Sequence, residues 1–210
     1  MIERIDNIIQ LIVLGICMIL ALNRALRSGK RAWAILGMFY GTVLLGNLYW
    51  ILYLMFYGET PFYSFIPDMS WCAGYLFLML LLFQIRDGKR NLKYVLLLLP
   101  TMAFTGAMAL FYIRVGGEIL TNIFYAVIMA LILWQALAGL FSVRGQRDNE
   151  KQKNWLYLAV LLFLAAEYAL WTASCYWMGD TIRNPYYWFD FLLSASYLLM
   201  LPAVKRGVDR

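Results

Sequence analysis

Three acids stand inside long apolar runs of this sequence, and they are its first candidates for chemistry. Glu167 sits about a dozen residues from either end of the stretch that holds it. An ionisable group at such a depth costs free energy and by default faces a bundle interior, where it serves as a proton or cation site or anchors a ligand. The plainer alternative is a neutral carboxyl that hydrogen-bonds to a neighbouring helix. Asp190 has Tyr187 at i−3, Ser194 at i+4 and Tyr197 at i+7, a polar stripe on an otherwise apolar helix. Asp68 has Trp71, Cys72 and Tyr75 on its face. It also follows Pro67 near a helix start, where an acid is favoured simply by the helix dipole. Arg114, at the end of another apolar run, is a counter-charge for either aspartate. Asn47, Asn122 and Gln135 are neutral polar groups placed for hydrogen bonds between helices.

What is missing narrows the chemistry. The chain has no histidine, and Cys17, Cys72 and Cys175 have no metal-ligand spacing. There is no H-E-x-x-H, no GxSx serine-protease context and no GxGD aspartate pair. Glu167 and Asp190 differ in depth by about ten ångströms on helix rise alone, too far for an easy catalytic dyad. No enzyme activity, metal or cofactor is therefore expected.

The elements that must position these residues are membrane helices. Of the 210 residues, 63% are hydrophobic and 14% charged, with the charges clustered between long uncharged runs. Seven stretches can cross a hydrocarbon core of about 30 Å: 7–23, 32–58, 67–85, 93–113, 119–143, 154–179 and 185–204. The connections are short, so residues 1–210 form a single all-α polytopic membrane domain. One set of loops and ends carries 15 of the 18 basic residues: Arg24, Arg27, Lys30, Arg31; Arg86, Lys89, Arg90, Lys93; Arg144, Arg147, Lys151, Lys153; Lys205, Arg206, Arg210. The other carries Arg4, Arg114 and Arg183. The asymmetry predicts an N-terminus outside and a C-terminus in the cytoplasm of a plasma (inner) membrane. The net charge of +6 is then a topology signal, with no nucleic-acid partner implied. Glu3 and Asp6 flank Arg4 at the start and no A-x-A-like site follows, so the first stretch reads as an uncleaved helix.

A shift of 122 residues places D-M-S-W-C-A-G-Y-L at 68–76 on D-F-L-L-S-A-S-Y-L at 190–198, and Trp33 on Trp155. A slightly different shift places Asn7-Ile8 on Asn122-Ile123. This predicts a parallel repeat of three helices joined by helix 4, against the alternative that leucine-rich helices match by chance. Small residues predict close packing at Gly37 and Gly41 of helix 2, and at Ala165, Ala169 and Ala173 of helix 6. Pro100 predicts a kink two turns into helix 4, with Thr101 and Thr105 to satisfy the freed carbonyl. Aromatics crowd the N-terminal side: Tyr49, Trp50, Tyr53, Tyr57, Phe62, Tyr63, Trp71, Trp171, Tyr176, Trp177, Tyr186, Tyr187 and Trp188. Part of this is an interfacial belt. The excess over the other side predicts an outward-facing aromatic cavity with Asp68, Asp190 and Glu167 as polar contacts, suited to cationic or ring-shaped ligands.

The three-plus-one-plus-three plan resembles that of the SWEET sugar carriers and the PnuC vitamin transporters, and the seven-helix plan that of microbial rhodopsins. The resemblance is one of helix plan, without their signature motifs. The Pro-Gln motif is absent, and Ser194 stands one turn after Asp190 where a rhodopsin-like pattern requires a lysine. Stand-alone seven-helix modules also resemble the membrane input domains of bacterial signalling proteins. Two functions follow as expectations. One is a carrier that binds or transports a small molecule or ion; the other is a sensor or accessory subunit that signals through a cytoplasmic protein partner.

Overall fold

The computed structural model describes residues 2–59, 61, 65–86, 92–142, 151–177 and 179–209. Seven helices run through these residues: α1 (Ile2–Ser28), α2 (Arg31–Tyr57), α3 (Phe65–Ile85), α4 (Leu98–Gly116), α5 (Ile119–Ser142), α6 (Asn154–Tyr176) and α7 (Pro185–Val208). A 3-10 turn, Leu92–Leu97, leads into α4. All seven spans are long and apolar enough to cross a membrane. In hydrocarbon every backbone N–H and C=O must be paired within its segment, which leaves apolar runs of this length only the helix. Lys89, Arg90, Arg144, Arg147, Arg210, Phe62 and Tyr63 lie outside the described residues.

The bundle is a ring. Consecutive helices pack side by side within α1–α2–α3 and within α5–α6–α7, and the ring closes at two seams, α1 against α7 and α3 against α5. α4 stands outside, packed on α5 and lightly on α6. A linker between two three-helix units would occupy that position.

α1 shows how the sequence turns its faces. Asp6, Asn7, Gln10, Leu14, Cys17 and Ala21 are buried, while Ile5, Ile9, Ile12, Ile16 and Ile19 are exposed. The spacing is that of an amphipathic helix turned inside out, polar towards the bundle and isoleucine towards lipid. An apolar face of this extent fits a lipid environment and would be a liability in water. α1 starts at Ile2 rather than at residue 7 because its first polar residues belong to the inward stripe and do not mark a boundary.

The caps fit their positions. Pro185 opens α7, and the Asn184 side chain accepts from the Tyr186 N–H at 3.0 Å. Gly58 ends α2 with φ of 77°. Close packing is partly where the small residues place it. A Cβ on Gly37 would meet the Leu22 side chain, so this glycine pair packs α2 on α1. On α6 the buried alanines are Ala159, Ala166 and Ala173, a seven-residue repeat, while Ala165 is exposed and Ala169 only half-buried. The four-residue stripe of sequence is therefore not the packing face. Pro100 lies in the first turn of α4, not two turns in, because the turn before it is 3-10. Thr101 still donates to the Leu98 carbonyl, at 2.8 Å.

The C-terminal end of the ring is tied by charge. Asp209 accepts from Arg24 Nε at 2.7 Å and from Trp33 Nε1 at 2.9 Å, and Lys30 Nζ donates to the Val208 carbonyl at 2.6 Å. Burial alone would raise the Asp209 carboxyl. The hydrogen bonds from Trp33 and Arg24 and the charges of Arg24 and Lys30 outweigh it and hold the group below its ordinary range.

Candidate functional site

Two polar centres occupy the interior, and each is assembled from several helices. The first is built on Glu167, which is 4% exposed. Tyr75 of α3 donates its hydroxyl to Glu167 Oε1 at 2.7 Å, and Trp171, one turn along α6, also hydrogen-bonds the carboxyl. The Tyr125 ring of α5 stands edge-on to Trp171, with centroids 4.6 Å apart, and packs against Tyr75 at 5.6 Å. Its hydroxyl donates to the Asp68 carbonyl at 3.0 Å. Glu167, Trp171, Tyr125, Tyr112 and Thr105 line a small cavity between α4, α5 and α6. About 20 Å³ of it is open to the centre of a water molecule, room for about one water.

The second centre lies on the seam between α1 and α7. Gln10 of α1 donates its amide to Asp190 Oδ1 and accepts from the Asn47 side chain of α2. Trp71 of α3 donates to Asn47 Oδ1 at 2.7 Å. Gly46 makes this reach possible, since a Cβ there would stand 2.6 Å from the indole nitrogen of Trp71. Asp6, 1% exposed, faces Asp190 across the seam. Neither Asp6 oxygen has a hydrogen-bond partner. Ser194, one turn below Asp190, is also buried with an unpartnered hydroxyl. Asp190 and Glu167 act on each other electrostatically, so the two centres are not independent.

Between and below the centres the bundle is filled with rings. Phe163 of α6 meets Phe39, Tyr75 and Tyr197 at centroid distances of 5.8, 5.7 and 5.7 Å. Tyr40 donates its hydroxyl to the Tyr197 carbonyl at 2.8 Å. These rings form a plug between α2, α3, α6 and α7, distinct from the aromatics that crowd the N-terminal side, of which Trp171 lines the cavity beside Glu167. The space beside Glu167 opens on the other side, towards α4.

The candidates divide accordingly. Asn47, Trp71 and Asp190 are brought into one network, and Tyr75, Trp171 and Glu167 into the other. Ser194 and Tyr197 are buried on α7, Tyr197 as part of the plug. Asp68 is buried in the first turn of α3 at the opposite seam, inside the helix rather than at its cap, because α3 starts at Phe65. Arg114 is exposed at the end of the peripheral α4, and Gln10 is the partner of Asp190. The pairing of Arg114 with Asp190 is corrected on that ground. Asn122 donates to the carbonyl of Glu118, just before its own helix, at 2.7 Å, and both amide atoms of buried Gln135 lack partners. Neither makes the interhelical bond expected of it. Asp6 and Gln10 are the residues that sequence reasoning missed. Their signal was present: polar side chains four apart on a helix whose opposite face is isoleucine.

No family model matches the chain, and neither a curated protein nor a solved structure matches it. The fold is that of a multi-pass membrane protein.

Proposed function

We propose that the protein is a small plasma-membrane carrier that moves a cation, alone or with a small solute, with Glu167 as its central acid. The observation that supports this most is the placement of Glu167: in the middle of α6, buried, held by Tyr75 and beside a water-sized cavity. A helix that only needed interhelical glue would use a neutral amide at far lower desolvation cost. Asp190 lies nearer the N-terminal face and acts on Glu167, which gives a transported charge two successive stations. The two seams are the natural lines for the three-helix units to rock about, and the aromatic plug is the barrier that such a motion has to open. Proteoliposomes loaded with a pH-reporting or sodium-reporting dye test this. The wild type is expected to dissipate an imposed cation gradient, and Glu167→Gln to lose at least tenfold of the rate with its folding intact. A wild type no leakier than empty vesicles under proton, sodium and potassium gradients overturns it.

A second reading, a sensor or accessory subunit that acts through a partner, is favoured by the C-terminal face. There Lys30, Arg31 and Lys153 line a depression of about 340 Å³ beside the Asp209 tie. Its expected signature is an acidic protein that co-purifies with the wild type and is lost on Arg31→Glu.

A further inference from the structure

We propose that Asp6 and Asp190 form a site for one hard monovalent cation, a proton or a sodium ion, shared between the two carboxyl groups. This deepens the carrier reading by naming the charge and where it first binds, but its test is a binding measurement and does not depend on transport.

Asp6 is buried and both of its oxygens are acceptors with no donor. A carboxylate taken out of water without pairing is among the costliest groups a protein can bury. Its neighbour is another buried carboxyl, Asp190, so leaving both ionised adds like-charge repulsion to desolvation. The groups that face the pair do not relieve this. They are Glu3 from α1, Glu167 from α6, the phenols Tyr186 and Tyr187, and the neutral amides Gln10 and Asn47. None of these carries positive charge; the Arg4 cation acts on Glu3 and not on the pair.

One cation resolves the arrangement. A proton on Asp6 turns an orphan acceptor into a donor towards Asp190, whose other face is already held by Gln10. A sodium ion would take oxygens from both carboxyls, with the unpartnered Ser194 hydroxyl one turn below. The remaining negative charge lies near the first turns of α1 and α7. These helices start at Ile2 and Pro185 at the same end of the bundle, so both dipoles favour it. A second positive charge is not required. Among the described residues no cluster of three or more acidic, cysteine or histidine side chains is placed to hold a metal. A calcium ion, which takes six to eight oxygens, is a poor fit.

The test is thermal unfolding of the purified protein in detergent, read from high to low pH, in sodium chloride and in N-methylglucamine chloride at equal ionic strength. Folding takes up a cation that the unfolded chain does not hold, so in sodium-free buffer the midpoint falls as pH rises. At the limiting slope of one proton the fall is about 3–5 °C per pH unit. In Asp6→Asn the share of this dependence that belongs to the pair is lost and the slope is reduced, with Asp190 and Glu167 still in place. If sodium is a ligand, it raises the wild-type midpoint at high pH, with saturation, and has no effect at low pH. If the proton alone binds, sodium acts no differently from N-methylglucamine. Either result supports the site and assigns its ligand. Equal pH and sodium dependence in the wild type and Asp6→Asn overturns it. Should that variant not fold, the wild type labelled with carboxyl-¹³C aspartate decides. The infrared band of a protonated carboxyl, present at neutral pH without sodium, must shift with the label. A band that does not shift belongs to a glutamate and overturns the proposal, while leaving Glu167 and the carrier reading untouched.

Discussion

The two seams that close the ring differ in chemistry although they occupy matching places in it. At the α3–α5 seam, Tyr125 donates to the backbone carbonyl of Asp68 and packs its ring on Trp171 and Tyr75. At the α1–α7 seam, Gln10 donates to the side chain of Asp190, with Asp6 beside it unpartnered. The offsets match those of the suspected repeat. Asp68 and Asp190 are 122 residues apart, and Gln10 and Tyr125 are 115 apart, as are Asn7 and Asn122. One seam is joined through a phenol and a backbone carbonyl, with a single aspartate, Asp68, buried at it. The other sets two buried carboxyls, Asp6 and Asp190, against each other, a cost that a structural joint has no need of.

Gln10→Leu should break this contrast hardest. It strips Asp190 and Asn47 of a shared partner and is expected to cost about 2–5 kcal/mol of stability. Thermal unfolding in detergent measures it, and a loss below 1 kcal/mol would remove the amide bridge from the account. Next comes the close approach of α5 to α6. A Cβ on Gly139 would stand 2.3 Å from the Tyr157 ring, whereas at Gly37 it would meet the flexible end of Leu22. Gly139→Ala should therefore cost about 1–3 kcal/mol and clearly more than Gly37→Ala, in the same assay. Equal costs would mean that the ring yields as readily as leucine. Tyr125→Phe removes only the hydroxyl from the α3–α5 seam. About 0.5–1.5 kcal/mol is expected, with the pH and sodium dependence of unfolding left as in the wild type. A changed cation response there would erase the distinction between the seams.

Asp209→Asn should have the smallest effect, within about 1 kcal/mol, because the Arg24 partner is 41% exposed and salt screens the pair. Its sign is set by the carboxyl lying below its ordinary range of about 3.8. Its contribution is present at neutral pH, above the unfolded value, and is lost as pH falls through the lower folded value. The wild type should approach the variant only in strong acid or high salt, read from tryptophan fluorescence at Trp33.

The span count was legible because the bilayer leaves the chain so few choices. The depth of Glu167 was legible for the same reason, since a charge in mid-helix cannot be a boundary. Asp6 failed to stand out because four polar or charged residues at the start of a chain also read as a flank. Only the burial of Asp6, Asn7 and Gln10 beside exposed isoleucines separates the two meanings. The pairing of Arg114 with Asp190 failed because loop order says nothing about which helix is left outside a ring. The plug was not legible because a count of rings on one side does not show rings deeper in the bundle; here Phe163 sits among Phe39, Tyr75 and Tyr197. The helix-6 alanines show the register problem in miniature. Four-residue spacing drifts around a helix, while the seven-residue set Ala159, Ala166 and Ala173 stays on the buried face.

The central claim is that the interior acids handle charge rather than merely join helices. It is tested most directly by recording transient currents from proteoliposomes adsorbed on a solid-supported membrane, after rapid jumps of pH or sodium concentration. The wild type should give a current for at least one of the two cations. Glu167→Gln should abolish the sustained part, and Asp209→Asn, at the C-terminal tie, should leave it unchanged. A silent wild type, or a Glu167→Gln current equal to that of the wild type, contradicts the account.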